Sequence, residues 1–199
     1  LLGVRNDAGT VLAGAAGDYS PIAVDPTGAV RMNHEGQKQT YSAAGTAFTI
    51  AGSGTDVFTV TGSGTKTVRI TSCTITGLAT SAAAQDILFV KRSTANSAGT
   101  STNEAEVPHD SDNAAATATV LSYTANPTLG TGVGTLQAHK LTFTTAAGGI
   151  PQVQYHFSFT DHNEQGIVLR GTSQVFAVNL NGATATGLVL AITVTWTEE

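Results

Sequence analysis

Charge is what this chain has least of. Asp, Glu, Lys and Arg make up 12% of its residues, about half the roughly 25% of ordinary soluble proteins. The nine Lys and Arg are scattered, only Lys91 and Arg92 are adjacent, and the formal net charge is −5. Neutralising a phosphate backbone needs clustered cations, so no nucleic-acid partner is expected. No apolar run approaches the roughly 20 residues of a membrane-spanning helix, so no membrane partner is expected either. The opening Leu1-Leu2-Gly3-Val4-Arg5 is too short for the apolar core of a secretory signal. A single cysteine, Cys73, forms no internal disulfide and fits assembly in a reducing cytoplasm. Aromatic residues are 6% of the chain, with one Trp.

Ala, Gly and Thr fill the gap that charge leaves. Threonine suits strands, because its branched Cβ fits a pleated surface. The 22 glycines suit tight turns and close backbone approach. With 41% hydrophobic residues in 199, the chain can build one compact domain plus an appendage. Low surface charge also suits a protein whose surface is covered by neighbours.

Residues 1–40 read as the appendage, an extended N-terminal arm. Asn6-Asp7-Ala8-Gly9, Ala13-Gly14-Ala15-Ala16-Gly17 and Asp25-Pro26-Thr27-Gly28 are turn chemistry. Only brief apolar stretches lie between them, too short to build a core but less polar than a disordered tail. The arm is therefore expected to lay Val4, Arg5, Leu12, Tyr19, Ile22, Val24 and Val30 on a partner.

Residues 41–199 read as a β-sandwich domain. From about Thr46 apolar residues alternate at period 2 through Asp56–Val60 and Thr67–Ile75. In the second stretch the apolar phase shifts between Ile70 and Cys73, which predicts a bulge or a change of sheet. Ile87–Val90 reads as a strand buried on both faces. Val120–Tyr123, Leu141–Phe143, the alternating Val153, Tyr155, Phe157 and Phe159, then Val175–Leu180 and Leu188–Trp196 follow. About eight short strands with turn signals between them and no amphipathic helix predict an antiparallel β-sandwich, jelly-roll-like. The polar segment 93–119 is expected to be a long outward-facing or partner-wrapping loop.

No catalytic constellation emerges. Gly52-Ser53-Gly54 and Gly62-Ser63-Gly64 lack the spacing of a nucleophile elbow and read as hairpin turns. Gly130-Thr131-Gly132-Val133-Gly134 lacks the third-glycine spacing and the following helix of a dinucleotide loop, so no cofactor is expected. His109-Asp110-Ser111-Asp112-Asn113 and Asp161-His162-Asn163-Glu164 are the densest polar clusters. Neither has the glycine and bidentate glutamate of a calcium loop, and both read as solvated turns without a metal. Glu104-Ala105-Glu106 is a weak signal for glycosidase chemistry, which needs two facing carboxylates in a cleft. Cys73, among apolar and Thr neighbours, reads as a small buried residue. The chain is thus expected to be no enzyme.

Several segments resemble those of tailed-bacteriophage virion proteins. They are Gly3–Gly9, Leu12–Gly14, Gly17–Ile22, Val24–Gly28, Leu88–Asn96, Tyr123–Gly130, Leu169–Thr172, Ala177–Gly182 and Val194–Glu199, spread along the chain from near its first residue to its last. The resemblance implies a capsid decoration (cement) protein of jelly-roll type, located in the virion and assembled in the host cytoplasm. Its implied partner is the major capsid protein or another virion protein. A homo-oligomer is expected, a trimer favoured, because a closed ring hides sheet edges. A tail, neck, baseplate or fibre component is the alternative. A carbohydrate-binding β-sandwich module is a second one; it would want exposed Trp or Tyr, for which Tyr19, Tyr41 and Tyr123 are the candidates. Trp196, in phase with Leu190, Ile192 and Val194, reads as core.

Overall fold

The computed structural model describes residues 4–5, 23–24, 38–145, 154–161 and 165–199. The chain separates into two units, residues 1–38 and 39–199. In the first, β1 (Val4–Arg5) pairs in parallel with β2 (Ala23–Val24).

The second unit is an all-β sandwich. Its strands are β3 (Gln39–Thr49), β4 (Asp56–Thr61), β5 (Val68–Leu78), β6 (Ala83–Arg92), β7 (Thr100–Asn103), β8 (Glu106–Pro108), β9 (Thr119–Ala125), β10 (Gly132–Phe143), β11 (Tyr155–Ser158), β12 (Ile167–Leu169), β13 (Val175–Asn179) and β14 (Val189–Glu198). The front sheet has the order β10-β6-β13-β4-β9-β7, and the back sheet β11-β5-β14-β3-β8, with β12 also on β5. Every pairing in these two sheets is antiparallel.

Setting aside β7 to β9, the pairing is nested. First strand pairs with last (β3 with β14), then β4 with β13, β5 with β11 and β12, and β6 with β10. Such nesting is a long hairpin rolled into two sheets, the jelly-roll arrangement. It follows from alternation: each strand has one apolar face to bury, and rolling the hairpin turns all those faces inward.

Segment 93–119 departs from the expected loop. It contains β7, which extends the front sheet beyond β9, and β8, which extends the back sheet beyond β3. It therefore runs along one open side of the sandwich and supplies a short edge strand to each sheet. All four residues of β7 are exposed, so no alternation marked it as a strand.

The core lies between the sheets. Leu190, Ile192, Val194 and Trp196 point inward from β14, facing Phe58, Val60, Phe89, Phe176 and Val178 of the front sheet. Phe89 packs on Phe157, Phe159 and Phe176 with ring centroids 4.9, 5.5 and 5.6 Å away, so one aromatic group joins both sheets. Burying each such side chain stabilises the fold by about 1.5–3 kcal/mol. The phase shift in β5 is a bulge: Ile70 lies opposite Trp196 and Ser72 opposite Thr195, leaving Thr71 as the extra residue. Without it Cys73 and Ile75 would face solvent, because a one-residue slip turns every later side chain over.

Candidate interaction surface

Of the residues expected to anchor the arm, Leu12, Tyr19, Ile22 and Val30 lie outside the described residues. Val4, Arg5 and Val24 are described only as members of the β1–β2 pair.

In the sandwich, four large hydrophobic residues are exposed among those described: Val107 (57%), Leu129 (41%), Val133 (62%) and Leu136 (45%). Val107 stands on edge strand β8, beside a shallow groove of about 350 Å³ lined by Ser42, Ala43, Ala44, Glu104 and Ala105. The other three follow one another along the β9–β10 connection and the first half of β10. That strand is an edge of the front sheet, and its residues 132–138 are all exposed. Two bulges interrupt its pairing with β6: Gly132 and Gly134 oppose Arg92 and Lys91, while Thr135 and Gln137 oppose Val90 and Phe89. The extra residues are Val133 and Leu136. Bulges at sheet edges re-aim side chains, and here they carry the two apolar ones.

The β9–β10 connection is held by a buried polar cluster that had no sequence signal. Asp56 accepts from Arg92 Nε at 2.5 Å and Nη2 at 2.7 Å, from Asn96 Nδ2 at 2.8 Å and from Asn179 Nδ2 at 2.7 Å. A bulge makes this possible. Phe58 opposes Val178 and Asp56 opposes Asn179, so the extra Val57 brings Asp56 to the same side as Asn179. From the cluster the bonding continues outward. Arg92 Nη1 donates to the Gly130 carbonyl at 3.1 Å, and the Gly130 N–H donates to Asn96 Oδ1 at 2.9 Å. A Cβ on Gly130 would lie 1.9 Å from the Thr94 carbonyl oxygen, so the close approach of the two loops requires glycine there.

A second buried carboxylate, Glu198, fastens the 109–118 segment. It accepts from Thr117 N–H and Oγ1, Ala118 N–H and Trp196 Nε1 at 2.7–3.1 Å. Burial opposes its ionisation, but these donors outweigh that and hold its pKa below the ordinary glutamate value.

The polar clusters singled out by sequence occupy turns or lie partly outside the described residues. In the first, the Asp112 and Asn113 amides bond Asp110 at 3.0 Å, and His109 Nε2 lies 2.7 Å from Ser42 Oγ. That hydroxyl is also 3.0 Å from Thr195 Oγ1, and no carboxylate meets the other ring nitrogen among the described residues. In the second, His162, Asn163 and Glu164 lie outside them. Glu104 and Glu106 bond β9, at Ser122 Oγ (2.5 Å) and the Val120 amide (3.2 Å). Among the described residues no three His, Cys, Asp or Glu side chains converge as a metal-binding group.

Three aromatic residues weighed as sugar platforms or core are placed by the structure in the interior. Tyr41, Tyr123 and Trp196 are buried, so the first two are corrected from candidate platforms. Tyr41 is the cross-strand partner of Trp196, with ring centroids 6.0 Å apart, and its hydroxyl donates to the Ala114 carbonyl at 2.9 Å. Comparison of the chain with protein-family models, with characterised proteins and with solved structures returned no match.

Proposed function

We propose that this chain is a non-enzymatic structural protein of a bacteriophage particle, a capsid decoration (cement) protein that binds the head and stabilises it. The observation that carries this reading is the jelly roll itself, a frame used by viral shell proteins among others, joined to an exposed uncharged edge. Fold alone does not assign function. Support beyond it comes from the segments that resemble tailed-phage virion proteins and from a surface poor in charge. In this reading the partner is the major capsid protein, the arm of residues 1–40 is the anchor, and the chain acts as a homo-oligomer, a trimer favoured.

The test is copy number per particle, by quantitative mass spectrometry of purified virions against the major capsid protein. A count equal to the capsid protein's, or a fixed simple fraction of it, is the expected result. A handful per particle would move the protein to the tail, neck, baseplate or fibres. Absence from the particle would overturn the virion reading.

A further inference from the structure

Lys66, Gln39 and Glu198 meet at one end of the back sheet. Strand β14 fixes the meeting from both sides. Glu198 is the cross-strand partner of Gln39 in β3, and the Thr67 and Glu199 backbones bond each other in both directions, at 2.7 and 3.1 Å. Ser63 Oγ accepts from the Lys66 N–H at 3.1 Å, which sets the Lys66 backbone within the β4–β5 turn. The Lys66 ammonium is thereby laid on the side-chain amide of Gln39, where Nζ donates to Oε1 at 2.7 Å. The fully buried Glu198 carboxylate lies 3.8 Å from the same Nζ, and the Tyr41 hydroxyl lies 3.3 Å from Oε1. An amine, a carboxamide, a carboxylate and a hydroxyl are together the parts of an amide exchange. They supply a nucleophile, an electrophile, a proton carrier and a donor for the oxygen on which charge develops.

We propose that Lys66 and Gln39 become joined by an intramolecular isopeptide bond, with loss of ammonia. Lys66 Nζ passes a proton to the Glu198 carboxylate, and the freed lone pair adds to Gln39 Cδ while the carbonyl electrons move onto Oε1. Tyr41, whose proton otherwise goes to the Ala114 carbonyl, can turn it to that oxygen. The intermediate collapses, the Cδ–Nε2 bond breaks, and Nε2 takes the proton back from Glu198 and leaves as ammonia. One C–N bond forms and one breaks, and nothing is oxidised or reduced. Holding the reactants in contact replaces a collision by a unimolecular step. The hydrogen bonds that keep Glu198 ionised also make it a weak base, so the bond is a slow maturation of the folded chain rather than part of folding. Gln39 is the first residue of the sandwich unit. The bond would therefore pin the start of β3 to the β4–β5 turn, where any pull on residues 1–38 enters the domain.

The inference rests on this geometry and not on the virion reading. The test is mass spectrometry of the purified full chain, denatured after days of incubation in its folded state. The intact mass is expected to fall below that of the sequence by about 17 Da, the ammonia released in the covalent change. Digestion by a protease that cuts before Asp25, Asp56 and Asp86 separates residues 25–55, which hold Gln39, from residues 56–85, which hold Lys66. The two fragments are expected to run as one branched species. Lys66→Arg keeps the charge beside Glu198 and removes the nucleophile. It is expected to keep the circular dichroism spectrum, show the full mass and release two separate fragments. Should it lose its fold, Gln39→Ala is read the same way. A wild type that keeps its full mass, with its fragments separate after the incubation, would overturn the bond. So would a mass loss that persists in the variants, since the ammonia would then come from another amide.

Discussion

Arg92 grips Asp56 from two strands away. Arg92 ends β6, Asp56 opens β4, and β13 runs between them, yet the guanidinium meets both carboxylate oxygens, at 2.5 and 2.7 Å. Asn179 of the intervening strand donates to the same carboxylate. The pair ties the outer side of the front sheet to the loops that precede β10, so it links sheet stability to the shape of the exposed edge.

Removing one member of this pair is expected to be severe. Asp56→Ala leaves the buried Arg92 without its counter-charge, and breaking a buried pair costs about 3–5 kcal/mol. Asp56→Asn keeps the shape and should cost less. Urea denaturation of the three proteins measures the difference, and a loss within experimental error for Asp56→Ala would refute the assignment.

Glu198 makes stability depend on pH in acid. Its folded-state pKa lies below the ordinary value near 4.5, so the unfolded chain takes up the proton first as pH falls. The contribution is complete above that value and is lost as pH drops from there through the lower folded-state value. Glu198→Gln should lose about 1–3 kcal/mol at neutral pH, the cost of leaving buried hydrogen-bonding groups poorly matched. It should also flatten the acid limb of a plot of denaturation midpoint against pH. An acid limb of unchanged steepness would assign that dependence to other carboxylates.

Gly130→Ala should loosen the connection without unfolding the core. Its new methyl would sit on the Thr94 carbonyl oxygen, and such overpacking typically costs about 1–3 kcal/mol. Hydrogen exchange is expected to quicken at the Thr128 and Thr131 amides, which bond Ser97 and Thr94, while β14 amides keep their protection. Equal loss of protection in both places would mean that the loops and the core open together.

Cys73 should be silent toward alkylating reagents in the native state. It is fully buried and burial pushes its thiol pKa well up, whereas the thiolate is the reactive form. Labelling is expected only as fast as the domain opens, and mass spectrometry across a urea series follows it. Rapid modification without denaturant would show that the back sheet opens locally at β5.

Much of the sandwich was legible because alternation is local. Leu190, Ile192, Val194 and Trp196 announce an inward face two residues at a time, and the broken phase between Ile70 and Cys73 announces the bulge at Thr71. Strand β3 was legible only in part. Its first inward residues, Tyr41, Ala43 and Gly45, include two too small to signal a hydrophobic face, so the burial of Tyr41 against Trp196 was missed. The first half of β10 failed for another reason: two bulges within it break the period, and neither of its faces is buried.

What the sequence determined by itself was the class of fold and its inward faces, because those depend on spacing between near neighbours. What only the tertiary structure decided was which distant residues meet. Asp56 and Arg92 stand 36 positions apart, and nothing in either neighbourhood requires the other. Likewise, the nested pairing that seats β10 at an edge leaves Val133 and Leu136 in solvent, and whether a strand is covered depends on the order of the sheet rather than on the strand's own residues.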